Sequence, residues 1–120
     1  KLPPIKGDWR ALDQVFNNLI SNAIDAMREN GGILSVKVSL STLVSTHPHL
    51  EIAVSDNGPG IPDDIREKIF EPFVTTKASG TGLGLSITKR IVTAHRGSIT
   101  FNSYPGGTVF RIFLPASEEA

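Results

Sequence analysis

Apolar residues in the first part of the chain recur with helical spacing. Leu12, Val15, Phe16, Leu19, Ile20, Ala23, Ile24 and Met27 fall at i, i+3, i+4, i+7, i+8, i+11, i+12 and i+15, one continuous stripe. Pro3 and Pro4 impose an extended entry, Asp8 is a good N-cap, and Asn30-Gly31-Gly32 ends the helix. The period then changes to two. Residues 33–40 alternate as a half-buried strand, and residues 50–55 alternate again after a polar connection, which predicts a hairpin delivering Asp56 at a strand end. Residues 63–69 read as a short helix that starts after Pro62 and ends at Phe70-Glu71-Pro72-Phe73. Helical spacing returns with Leu85, Ile87, Thr88, Ile91, Val92 and His95 on one face, and Gly97 stops it. Residues 98–103 and 108–114 are two further strands, with Tyr104-Pro105-Gly106-Gly107 turning between them. Helices and antiparallel strands in this order predict an α+β two-layer sandwich, with helices on one face of a mixed, mostly antiparallel sheet.

Composition narrows this picture. A chain of 120 residues is one domain with room for a real core. Twelve basic and twelve acidic residues cancel, which argues against an electrostatic nucleic-acid binder or a membrane-surface protein. The absence of cysteine excludes disulfides and thiolate metal sites and fits a reducing compartment. No apolar run approaches the roughly 20 residues of a membrane span, and no signal peptide opens the chain. Lys1-Leu2-Pro3-Pro4 and Ser117-Glu118-Glu119-Ala120 read as cut ends within a longer protein, so residues 1–120 are expected to be a single excised module.

Three stretches carry candidate chemistry. Gly80-Thr81-Gly82-Leu83-Gly84-Leu85 opens the second long helix, so free backbone N–H groups converge where the helix dipole is positive, a site suited to phosphate. On the first helix, Asn18, Asn22 and Asp25 form a narrow polar stripe beside the apolar face, with Asn22 nearest that face. Asparagine is a poor helix former, and Asn17, Asn18 and Asn22 sit mid-helix with no cap to justify them, which points to amides aimed at a ligand. Asp56-Asn57-Gly58-Pro59-Gly60-Ile61-Pro62 is a rigid turn in which Asp56 is either an ordinary Asx cap or an acceptor for an exocyclic amine at a pocket floor. Residues 74–79 (Val-Thr-Thr-Lys-Ala-Ser) read as a lid with a glycine hinge. His47 and His49 flank Pro48 and are read as surface-loop residues, since no third metal ligand is near. His95, on the packed face near a helix end, is read as structural.

Taken in order, these stretches resemble the catalytic, ATP-binding domain of a bacterial two-component sensor histidine kinase, of the GHKL or Bergerat fold shared with gyrase, the Hsp90 chaperone and the MutL repair protein. Asn18-Leu19-Ile20-Ser21-Asn22-Ala23 resembles the N box, Asp56-Asn57-Gly58-Pro59-Gly60-Ile61 the G1 box, Phe70-Glu71-Pro72-Phe73 the F box and Gly80-Thr81-Gly82-Leu83-Gly84-Leu85 the G2 box. Gly106-Gly107-Thr108-Val109-Phe110 fits the closing strand.

The resemblance implies a role for each position. Asp56 binds the adenine amino group, assisted by Thr108. Asn22 gives its side-chain oxygen to Mg²⁺, and Asn18 lies by the phosphates. The backbone of Gly80, Thr81, Gly82, Leu83 and Gly84 holds the phosphate tail. Lys77, with Thr76 beside it on the lid, neutralises γ-phosphate charge. Gly58 and Gly60 belong to the nucleotide-binding turn, and Ile61, Phe73 and Leu85 line the cleft. In ATP-hydrolysing relatives a glutamate at the equivalent of position 18 acts as general base; Asn18 cannot, so ATP is spared from water for another acceptor.

That acceptor is implied to be a histidine on a separate helical dimerisation domain, with a response regulator downstream. The resemblance further implies a monomer when isolated, a dimer in the full-length kinase, and a cytoplasmic location without nucleic-acid or membrane contact. The family's first strand is expected to be missing, and Asp25 stands where some members carry a basic residue. Two other readings share the pocket: a nucleotide-sensing module without transfer, and a serine kinase of the anti-sigma-factor type.

Overall fold

The computed structural model describes residues 5, 7–27, 31–42, 46–71 and 84–116. Helix α1 spans Trp9–Ala26; Asp8 caps it in an extended conformation, and its side chain accepts from the Arg10 backbone N–H at 3.0 Å. Its buried residues are Leu12, Val15, Leu19 and Ala23, the centre of the predicted stripe. Strands β1 (Leu34–Ser41) and β2 (His49–Asp56) form the expected hairpin, and β3 (Ser98–Tyr104) and β4 (Gly107–Pro115) form a second one. Between the hairpins lies helix α2, Gly84–Ala94. The sheet order is β1-β2-β4-β3, every ladder among the described residues is antiparallel, and α1 and α2 pack on one face, which is the predicted two-layer sandwich. Ile5 adds a single bridge to Ala116.

Register decides where the core ends. Directly paired residues of antiparallel strands point to the same face. The helix-bearing face therefore carries apolar rungs: Leu40–Leu50–Leu114, Val38–Ile52–Ile112–Ile99 and Val36–Val54–Phe110–Phe101. One rung further on, the same face reads Leu34–Asp56–Thr108–Ser103. The core thus gives way within two residues to a polar edge spread over three strands. Phe70 packs edge-on against Phe101 and Phe110 with centroids 6.0 and 6.4 Å away, closing the core beneath α2.

Three expectations change. Strand β1 is more exposed than a half-buried strand should be: Val36, Val38 and Leu40 keep 49, 45 and 53 % of their surface, because β1 is the sheet edge and α1 lies mainly over β2. Residues 63–69 form no α-helix. A turn leads into a 3₁₀ segment, Arg66–Lys68, with no side-chain cap and with Arg66 bonded back to the Ile61 carbonyl (3.3 Å) and Asp63 (3.2 Å). His49 is not a loop residue: it opens β2, is buried, and its Nδ1 donates to the His47 carbonyl at 2.8 Å, while His47 Nε2 donates to the Ala116 carbonyl at 3.0 Å. The two histidines fasten the far end of the sheet.

Candidate functional site

The polar rung is the floor of the site. Asp56, the last residue of β2, turns its carboxylate back to accept the Gly58 N–H at 2.9 Å, so the Asx turn forms. Burial pushes its pKa above the ordinary carboxylate value, opposed by the backbone hydrogen bonds from Gly58 and Thr108. Among the described residues no Lys or Arg pairs with it. A half-buried carboxylate with two N–H donors retains acceptor capacity for a further donor. Next to it, Thr108 is buried and its hydroxyl lies 2.8 Å from that of Ser103. Ser103 Oγ in turn accepts the Ile61 N–H at 2.7 Å, which ties the 56–62 turn to β3. Gly60 is required at its place: φ is +88°, and a Cβ there would sit 2.3 Å from the Tyr104 carbonyl oxygen.

Helix α1 is the wall. Its last residue meets the turn: a Cβ on Gly58 would lie 2.9 Å from the Ala26 carbonyl oxygen. Two helical turns earlier, Asn18 meets the first turn of α2, its Nδ2 donating to the Gly84 carbonyl (3.2 Å) and to Thr88 Oγ1 (3.3 Å). Asn22 lies between these contacts on the same flank and is half-buried. The G1-like turn and the start of α2 therefore abut one face of one helix, and Asn22 is centred between them.

Of the residues singled out from sequence, Asn18, Asn22, Asp56, Gly58, Gly60, Ile61, Gly84, Leu85 and Thr108 belong to this region, Ile61 and Leu85 as partly buried members packed against the core. Phe73, Thr76, Lys77, Gly80, Thr81, Gly82 and Leu83 lie outside the described residues, as does the predicted lid. Sequence reasoning missed Ser103 and Thr88. Ser103 was legible: a two-residue turn at Pro105-Gly106 sets it opposite Thr108. Thr88 carried only the weaker signal of helical spacing from Gly84. An open groove of about 390 Å³ runs along Pro59, Pro62, Arg66 and Tyr104 and shares Ile61 and Ser103 with the region above.

The fold and this arrangement define a nucleotide-binding class, and comparison with known proteins gives the family. Residues 7–118 match the model of the histidine kinase-, DNA gyrase B- and HSP90-like ATPases, and the chain belongs to that family. It is similar to the sensory histidine kinase/phosphatase NtrB of Azospirillum brasilense, 45% identical over 99% of this chain and 32% of that protein. Among solved structures it resembles the mycobacterial sensor histidine kinase MprB (TM-score 0.81, 30% identity, 93% of this chain and 76% of that one). It also resembles full-length ShkA in complex with AMPPNP (TM-score 0.77, 32% identity, 99% of this chain and 24% of that one). The chain spans about a third of the length of NtrB.

Proposed function

We propose that residues 1–120 form a single catalytic domain that binds Mg-ATP and donates the γ-phosphoryl group to a histidine on a separate helical domain of the same kinase. The observation that carries this reading is the polar rung Asp56–Thr108–Ser103 facing the α1 flank that holds Asn18 and Asn22. Asp56, desolvated and with no cation paired to it among the described residues, suits the exocyclic amine of adenine. Neither asparagine can take a proton at neutral pH, so the site has no general base there for water. Phosphoryl transfer depends mainly on positioning and charge stabilisation, which such a site supplies without hydrolysing its substrate.

Mg²⁺ fits the donor set. The Asn18 and Asn22 carboxamides lie one turn apart on α1, and the Asn18 nitrogen is occupied by α2, so its oxygen is the end left over. When bound, the ion supplies neutralisation of phosphate charge. This chain's residues orient the nucleotide at both ends: Asp56 with the Thr108 and Ser103 hydroxyls at the base, Asn18 and the α2 start at the tail.

On the same reading the acceptor domain dimerises the kinase, a response regulator takes the phosphoryl group onward, and the domain works in the cytoplasm, where ATP is. Among the described residues no helix is long and apolar enough to cross a membrane. Calorimetric titration with Mg-ATP, followed by addition of the parent's helical domain and acid quench, tests the proposal. The expected result is binding and an acid-labile phosphohistidine. No binding overturns the reading, binding without phosphate leaves a nucleotide-sensing module, and acid-stable phosphate on a small partner indicates a serine kinase.

A further inference from the structure

Thr88 is the one buried hydroxyl of α2, with no exposed surface. Its hydroxyl both donates and accepts. It donates to the Gly84 carbonyl at 2.8 Å, four residues back, and accepts from Asn18 Nδ2 at 3.3 Å. Valine would present the same shape without a polar atom to satisfy, so packing alone gives no reason for the hydroxyl.

We propose that Thr88 is a positioning residue that sets which end of the Asn18 carboxamide faces the nucleotide. The Gly84 carbonyl can only accept, so the Asn18 atom 3.2 Å from it is the nitrogen. The two amide hydrogens then go to Gly84 O and Thr88 Oγ1, and Oδ1 accepts no hydrogen bond among the described residues. Asn18 therefore meets a ligand as an acceptor alone. An acceptor repels phosphate oxygens and suits a donor, which at a polyphosphate means the water shell of a divalent cation. Thr88 holds that orientation from inside the joint between the two helices, 70 residues away in sequence. Without the hydroxyl one amide hydrogen loses its partner, and the orientation is held by the Gly84 carbonyl alone, one hydrogen bond instead of two.

The inference rests on the proposed Mg-ATP site, and the test separates the two. Wild type, Thr88→Val and Thr88→Ser are titrated with ATP in Mg²⁺ and in EDTA, and the Asn18 side-chain amide protons are followed by NMR in the nucleotide-free chain. Thr88→Val is expected to weaken Mg-ATP binding about tenfold, the loss of one net hydrogen bond. It should leave metal-free ATP binding within about twofold, with Thr88→Ser restoring the wild-type value. Equal weakening with and without metal, no weakening at all, or failure of Thr88→Ser to rescue overturns the inference. Should Thr88→Val not fold, the wild-type spectrum decides. Two hydrogen-bonded Asn18 amide protons that exchange slowly support the joint, and a freely exchanging pair refutes it. Absence of any ATP binding by wild type would sink the proposed site while the NMR measurement still judges the joint.

Discussion

Helices α1 and α2 are pinned together by polar contacts at both ends, and the two ends are built differently. At one end Asn18 spans to Gly84 and Thr88. At the other, His95 Nε2 accepts the Asp8 N–H at 3.0 Å while Nδ1 donates to the Ile91 carbonyl at 2.8 Å. The partners there are one obligate donor and one obligate acceptor, which place the ring hydrogen on Nδ1. Both ring nitrogens are consumed, so the His95 joint closes on itself. The Asn18 joint consumes one end of its amide and, among the described residues, leaves the other without a hydrogen bond, on the flank that faces the polar rung. A polar contact with nothing left over holds a fold together, whereas one with an unused acceptor is available to a ligand. Asp56 belongs with the second kind, having two N–H donors and, among the described residues, no cation beside its carboxylate.

The largest expected effect comes from closing an open group. Asp56→Asn keeps an oxygen for the Gly58 N–H but replaces the other acceptor with a donor, and should weaken Mg-ATP binding about 10- to 100-fold by calorimetry, the worth of a charged hydrogen bond. The nucleotide-free fold should be no less stable in urea. Its pH dependence follows from the raised pKa. Between the ordinary 3.8 and the higher folded value, the folded chain binds more protons than the unfolded one. Stability contributed by this group therefore falls as pH rises through that window, and the full desolvation cost is present above it. The substitution should flatten that step, and an unchanged urea midpoint-versus-pH profile would refute the assignment.

A smaller effect is expected at the closed joint. His95→Leu removes the acceptor of the Asp8 N–H, while the Ile91 carbonyl keeps the backbone N–H of residue 95, and it should cost about 1–1.5 kcal/mol in urea unfolding, with Mg-ATP affinity of the folded chain within about twofold. A large affinity loss at unchanged stability would erase the distinction between the ends. The smallest effect lies just beyond. After α2, Arg96 N bonds to Thr93 O (3.0 Å) and Gly97 N to Val92 O (2.9 Å), a Schellman ending whose left-handed residue is Arg96 at φ 63°. Arg96→Gly should raise stability by about 0.5–1 kcal/mol without touching nucleotide affinity, read as a shift in the urea midpoint.

Much of this was readable along the chain. The stripe from Leu12 to Met27, the Asp8 cap and both hairpins are local patterns, and they appear as predicted apart from Ile24, which is exposed, with Asp56 at its strand end. Family membership was legible for a related reason: short motifs in fixed order are themselves local. The misreadings have different causes. Strand β1 has the same alternation as β2, yet its apolar face is exposed, because alternation marks a face and not what covers it. Residues 63–69 had helical composition, but Arg66 bonds backward to Ile61 and Asp63, and the segment tightens into a 3₁₀ turn.

What the sequence by itself determined was the two long helices, the four strands, the turn that pairs Ser103 with Thr108, and the family. Only the tertiary structure decided which of their residues share a rung or a joint. Asp56 and Thr108 become neighbours through the register of β2 on β4, and Asn18 reaches Gly84 across 66 residues. Local spacing sets the direction of a side chain, whereas the packing of distant elements sets what it meets.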